Sequence, residues 1–291
     1  MASLAQRYDD NADGDFYVDR TCIDCDACRR IAPAVFAEAA DHSYVRRQPA
    51  DPEERRRSLM ALVACPTGSI GTASRADVRP GLEGFPETVE ENVSFCGFTS
   101  SDSFGAFAYL VQRSEGNVLI DSPRAVSRLL SEFERRGGIA TLFLTHCDDV
   151  ADHAAFARRF GCRRVLHAAD VSASTRDVET QLSGLDPTPL GEDLLAIPTP
   201  GHTRGHCVLL YKNRFLFTGD HLAWSARRGH LVAFRDACWY SWEEQTRSME
   251  RLLDYRFEWI LPGHGAWHRA DSPAAMRLEV ERCVAWMKRR G

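Results

Sequence analysis

The chain has 291 residues, of which 44% are hydrophobic and 26% charged, and a formal net charge of −5. That length supports one large domain or two smaller ones, and an acidic balance with no offsetting basic stripe argues against nucleic acid as the main partner. No apolar run approaches the ~20 residues of a membrane span, and the Asp-rich opening MASLAQRYDDNADGDF reads, as it stands, as neither a secretory signal nor a transit peptide.

The ten cysteines are unevenly spread. Cys22, Cys25 and Cys28 crowd into CIDCDACRRIAP, Cys65 precedes Pro66 in ALVACPTGSIG, and most others stand singly in apolar or helical surroundings. Such clustering favours a metal or cluster site over a disulfide framework. Three thiolates this close suit the corners of an iron–sulfur cube. A zinc knuckle of the same four thiolates is the alternative, although paired C-x2-C hooks are usual there.

A C-x2-C-x2-C run with a distant Cys-Pro resembles bacterial-type ferredoxins, in which three local thiolates and one remote thiolate bind a 4Fe-4S cluster. In the two-cluster ferredoxins each triplet is followed, after three residues, by a Cys-Pro serving the other cluster. Here that slot holds Ala32-Pro33, and the slots counted back from Cys65 hold Arg55, Ser58 and Ala61. One cluster's ligands are all present and the other's are all absent. The resemblance implies a single 4Fe-4S cluster on Cys22, Cys25, Cys28 and Cys65, in an α+β ferredoxin-like module. The acidic residues around it (Asp9, Asp10, Asp13, Asp15, Asp19, Asp24, Asp26) fit that picture, and a solvated face explains them equally well.

Next comes RADVRPGLEGFPETVEEN, residues 75–92, with two prolines, two glycines and no helical or strand period. It divides the chain into a module at residues 1–75, a linker at 76–92 and a larger domain at 93–291. In that domain GNVLIDSP reads as a strand. RAVSRLLSEFERRGG is a helix with Val126, Leu129, Leu130 and Phe133 on one face, stopped by a glycine pair. IATLFLTH is a strand and DHAAFARRFG a helix. Strands RRVLHA, LLAIPTPGH, HCVLLYK and RFLFTGD follow, then the helix EEQTRSMERLLDY, the strand WILPGHG and the helix PAAMRLEVERCVAWMKRR. Mixed strands and helices imply sheets covered by helices.

Four fragments of this domain, THCDDVADH, TPGHTRGH, FTGDH and LPGHG, each place His or Asp after an apolar strand, where loops gather into sites. They offer His146, Asp148, Asp149, Asp152, His153, His202, Asp220 and His264. Imidazole and carboxylate without thiolate suit zinc, iron or manganese. The order and motifs resemble the metallo-β-lactamase superfamily, over residues from about 90 to 291. That resemblance implies an αβ/βα four-layer sandwich with a dinuclear site. In that family the first motif is H-x-H-x-D-H. Carried over, His202 becomes the third ligand of one metal, Asp220 the bridge and His264 the last ligand of the second metal. PTPGHTRGH looks most like the glyoxalase II and persulfide dioxygenase branch.

The first motif departs from the family. The second histidine is Asp148, and two residues are inserted before Asp152-His153. Either Asp148 replaces the imidazole while Asp152 and His153 keep their roles through a bulged loop, or the insertion weakens one metal position. Asp149 could also stand in for Asp148. A carboxylate there shifts preference toward iron or manganese, and flavodiiron proteins carry a carboxylate in that slot and hold two irons. His206 is either a ligand-orienting or a structural residue; His167, His221 and His230 read as structural. Cys147 should point away from the site on an extended chain. Trp224, Trp239, Tyr240 and Trp242 are core or pocket wall.

Two activities follow from the resemblance. One is an oxidoreductase acting on a small molecule, in which the cluster exchanges electrons with a dinuclear, di-iron site and with a donor or acceptor protein. The other is a thioester or ester hydrolase of the glyoxalase II kind, with a structural or redox-sensing cluster. The attached electron carrier and the carboxylate favour the first. An oxygen-labile cluster implies a reducing, intracellular setting, the cytoplasm or, if a transit peptide was removed, the plastid stroma.

Overall fold

In the computed structural model, which describes residues 2–290, two short ribbons and two helices form the N-terminal module. Strand β1 (Phe16–Val18) is followed by helix α1 (Ala27–Ile31), strands β2 (Phe36–Glu38) and β3 (Ser43–Val45), helix α2 (Pro52–Ala64) and strand β4 (Ile70–Thr72). β1 pairs with β4 and β2 with β3, both antiparallel. The start of α2 is written in its sequence. Asp51 accepts a hydrogen bond from the Glu54 N–H at 2.8 Å, and Pro52 takes the first turn, where a missing N–H is harmless. Its end is set by Pro66, which pushes Cys65 out of the helical region to φ −51°, ψ 123°.

Residues 76–92 are not a linker. They hold helix α3 (Arg79–Leu82), packed on α2, and strand β5 (Glu87–Glu90), the edge of the larger domain's first sheet. The physical reason is Phe85, which is buried between the prolines and sets its ring 5.6 Å from Phe95 and 5.5 Å from Phe98.

The first sheet continues with β6 (Val93–Phe95), β7 (Tyr109–Val111), β8 (Val118–Ile120), β9 (Thr141–Phe143), β10 (Arg163–His167) and β11 (Thr180–Leu182), in that spatial order. Strands β5 to β8 are antiparallel and β8 to β11 parallel. Helices α4 (Ser127–Arg135) and α5 (His153–Phe160) pack on it through Leu129, Phe133 and Phe156. The second sheet runs β12 (Thr188–Gly191), β13 (Leu194–Pro198), β14 (Cys207–Tyr211), β15 (Phe215–Gly219), β18 (Trp259–Pro262) and β19 (His268–Arg269). Between β15 and β18 lie a ribbon, β16 (Ala223–Ser225) and β17 (His230–Val232), and helix α6 (Trp242–Arg251). Helix α7 (Pro273–Lys288) closes the fold.

Strand periodicity explains the layering. Leu209, Tyr211, Phe215, Phe217 and Leu261 face the first sheet, while their neighbours Leu210, Leu216 and Ile260 face α6 and α7. The result is a helix–sheet–sheet–helix sandwich attached to a ferredoxin-like module. The inner cluster also takes in Phe16, Ile31, Val45 and Met60 of that module, so one continuous core joins the two parts.

Candidate metal centre beside the cysteine loop

Cys22, Cys25, Cys28 and Cys65 line one small internal cavity, with Val18, Ser43, Ser69 and Ile70 in its wall. Left-handed residues at Asp24 (φ 57°) and Asp26 (φ 70°) turn the chain between the cysteines. Arg29 fixes those turns by donating to both carboxylates at 2.6 Å, so these two aspartates are structural and not merely solvated. The N–H groups of Ser43 and Ser69 point at Cys22 Sγ (3.5 Å) and Cys65 Sγ (3.3 Å). Burial pushes the Cys25 thiol up to about 12, so it ionises only against a bound cation. Among the described residues, the three-donor groups with atoms within 4.8 Å of one another contain no cysteine. A zinc tetrahedron would hold its sulfurs at ~3.8 Å, from a Zn–S length of ~2.3 Å. Four thiols around one cavity, three of them from a C-x2-C-x2-C run, suit a cube with one thiolate per iron.

The second donor cluster gathers at the C-terminal ends of β9, β13, β15 and β18, which open on one edge of the sandwich. Asp148 Oδ2 lies 3.2 Å from His202 Nε2 and 3.8 Å from His146 Nε2. Asp220 Oδ2 lies 3.8 Å from Nε2 of each of His146, His202 and His264. Asp149 joins from the side, its carboxylate within 4.8 Å of both His146 and Asp220 donor atoms. His146 Nε2, Asp149 Oδ2 and Asp220 Oδ1 are buried with no hydrogen-bond partner, as expected of atoms aimed at a cation. Burial, then the charges of Asp220, Asp121 and Asp148, holds the Asp149 carboxyl well above the usual range, a bias a metal ion removes.

Gly263 makes room for this crowding, because a Cβ there would stand 2.8 Å from Asp220 Oδ1 and 2.9 Å from Asp149 Oδ2. Thr145 Oγ1 lies 2.9 Å from both Asp121 Oδ1 and His146 Nδ1. A cation on His146 Nε2 would leave the ring proton on Nδ1, which would then donate to the Thr145 hydroxyl and hold the imidazole in orientation. The donor atoms close enough to share a cation are those of His146, Asp148 and His202 on one side and of His146, Asp149 and Asp220 on the other, with His264 reaching Asp220 at 3.8 Å.

A family model described as the metallo-beta-lactamase superfamily matches residues 102–264, more than half of the chain. The chain belongs to that superfamily. Residues 18–72 match the 4Fe-4S single cluster domain of Ferredoxin I. Among curated relatives, a hydroxyacylglutathione hydrolase of Chelativorans sp. (strain BNC1) is 27% identical over 198 residues, covering 65% of this chain and 72% of that protein. One of Anaeromyxobacter dehalogenans (strain 2CP-C) is 32% identical over 126 residues, covering 41% of this chain and 47% of its own length. The chain thus spans less than half of the second relative. A metallo-beta-lactamase from Pontibacter korlensis superposes with a TM-score of 0.50 at 16% identity, over 67% of this chain and 97% of that one, which speaks to fold alone.

The structure does not bring Asp152 and His153, expected from the superfamily's first motif, into the donor cluster. Asp152 Oδ2 instead accepts the Ala125 N–H at 2.7 Å, and His153 Nδ1 sits 3.2 Å from Arg164, which Glu179 and Asp177 hold. The two inserted residues are not bulged out. They let α5 begin at His153, outside the centre, while Asp149 turns inward. His206 is fully committed, with Nδ1 at 2.9 Å from Thr199 Oγ1 and Nε2 accepting the Asp220 N–H at 3.4 Å, so it orients Asp220 and does not ligate. His167 bonds the Gly184 carbonyl. Trp242 packs on Trp286, whereas Trp224 and Trp239 are pocket wall.

The metal centre opens into a cleft of about 1100 Å³, whose wall includes Cys25, Phe104, Cys147, Trp224 and Trp239. Cys147 therefore faces the cleft and not away from it. Cys25 belongs to both this cleft and the four-cysteine cavity. Nothing local in sequence signals that shared position, because the loop meeting Cys25 lies some 80 residues on, at Gly105 (φ +85°), where a Cβ would stand 2.8 Å from Cys25 Sγ.

Proposed function

We propose that the chain is an oxidoreductase acting on a small molecule in the cleft, its 4Fe-4S module exchanging electrons with the metal centre. The observation that carries this reading is the place of Cys25, which lines both the four-cysteine cavity and the cleft that the metal donors face. A structural cluster has no need of that placement. The donor set supports it: three carboxylates and three imidazoles form a hard ligand field suited to iron, and His146, His202 and Asp220 alone make a two-His, one-carboxylate group. Iron bound there would supply Lewis acidity and a change of oxidation state.

The chain's own groups do the rest. Thr145 and His206 hold His146 and Asp220 in orientation. Phe104 sets its ring 6.0 Å from that of His264 and shares the cleft wall with Cys25. Phe104 and Trp239, 55% and 67% exposed, offer apolar surface at the mouth for substrate to cover. The second reading, thioester hydrolysis, is favoured by the names of the curated relatives.

Metal and acid-labile sulfide on protein purified without oxygen separate the two. About six irons with about four sulfides per chain supports the redox reading. Iron confined to the cluster, with zinc beside it, overturns that reading. Cys25→Ser then discriminates by activity: reduction of O2, NO or peroxide should stop, whereas thioester cleavage would survive the substitution.

A further inference from the structure

The cluster cavity touches a second large cavity, on a different side from the cleft. This groove of about 1130 Å³ lies at the junction of the module and the larger domain, and Cys65, Pro66 and Thr67 belong both to it and to the four-cysteine cavity. It shares no residue with the metal cleft. Its wall mixes apolar residues (Leu4, Val63, Val126) with hydroxyl side chains such as Thr67 and Thr72 and three arginines, Arg75, Arg124 and Arg128, and contains no aspartate or glutamate. That is unusual in a chain of net charge −5. The cleft around Cys25 has the opposite character, with Asp24, Asp26, Asp102, Asp148, Asp149 and Asp220 in its wall and Arg30 as its one arginine. Arg124 sits at the groove's floor, donating to the carbonyls of Val63 (2.9 Å) and Cys65 (3.2 Å), so the positive charge reaches the backbone of a cluster ligand. Arg75 and Arg128 are exposed at the rim, as is Leu4 at 48%.

We propose that this groove is the docking surface for an acidic one-electron carrier protein, which delivers electrons to the cluster through the Cys65 face. Apolar surface beside exposed cations, with no carboxylate in the wall, suits a transient electron-transfer contact, in which charge steers the encounter and a small apolar patch sets the fit. In the step the carrier loses one electron and the oxidised cluster gains it, with no bond made or broken. The proposal rests on the redox reading for its purpose, but not for its test.

The test measures binding of an oxidised, acidic 2Fe-2S ferredoxin to the anaerobically purified holoprotein at low salt, and separately the bleaching of the cluster by the reduced carrier. Arg75→Glu with Arg128→Glu should raise Kd at least about tenfold and flatten the dependence on salt. The paired Arg→Ala variant, safer for folding at these exposed positions, should raise it by about threefold. Bleaching by dithionite, which needs no dock, should be unchanged in both. No binding to the parent chain, or binding equally tight in both variants, overturns the proposal. Because the readout ends at the cluster, a hydrolytic cleft would sink the function proposed above and leave this result standing.

Discussion

Gly105→Ala puts the contact between the two parts under direct test. The new Cβ would stand 2.6 Å from Cys25 Cβ and 2.8 Å from its Sγ, with Pro66 Cγ at 3.4 Å. Residue 105 also sits at φ +85°, where a side chain costs about 1–2 kcal/mol. Overpacking a fixed contact adds about 1–3 kcal/mol, so the sum is roughly 2–5 kcal/mol. The clash cannot be relieved by rotating Cys25 alone, since the nearest atom is its Cβ, which that rotation does not move. The loop at residues 100–106 must back away and carry Phe104 with it. A control isolates the steric part: Gly184 has φ +79° with nothing within 4 Å of a new Cβ, so Gly184→Ala carries backbone strain only. Thermal melts of the anaerobic protein should show a clearly larger fall for Gly105→Ala than for Gly184→Ala. Stopped-flow spectra should show slower electron exchange between cluster and metal centre, at full cluster content. Equal melting losses and unchanged exchange would refute the contact as a functional one.

Asp149→Asn should lower the metal content of the cleft site measured by elemental analysis, whereas Asp152→Asn, which keeps an acceptor for the Ala125 N–H, should leave it intact and cost less than about 1 kcal/mol. Loss of metal in the second variant alone would restore the unmodified superfamily motif. Gly263→Ala should weaken metal binding without loss of cluster, because its Cβ falls on the carboxylates of Asp220 and Asp149; equilibrium dialysis reads both. Arg124→Ala removes donors to the Val63 and Cys65 carbonyls, worth about 1.5–3 kcal/mol for a charged group, and should speed cluster loss in air as followed by bleaching.

What was legible in sequence tracks what is local. The four cysteines reveal themselves through spacing, and His202, Asp220 and His264 through apolar strands that end in His or Asp; each needs only its own strand to be placed. Asp152 and His153 mislead because motif matching preserves residue order and not chain direction. Two extra residues are enough for α5 to claim His153 as its first residue, and for Asp152 to tie down Ala125 beside Arg124. The supposed linker misleads for a related reason: its prolines and glycines punctuate two short elements, and Phe85 between them anchors the stretch to the core. The places of Cys25 and Cys147 in the cleft wall were beyond reach, since they depend on loops distant in sequence.

The two outer faces of the cysteine loop give the assembly a direction. Cys25 and Cys65 line the same small cavity, yet each also enters a larger one, and those two have no wall residue in common. On the docking proposal, a carrier at the Cys65 face meets three arginines, which draw an anionic protein there. Reversing Arg75 and Arg128 should close that entrance, so turnover with the carrier should fall while turnover driven by a small reductant persists. A chain that used its cluster only as a structural element would show no such difference between the two reductants.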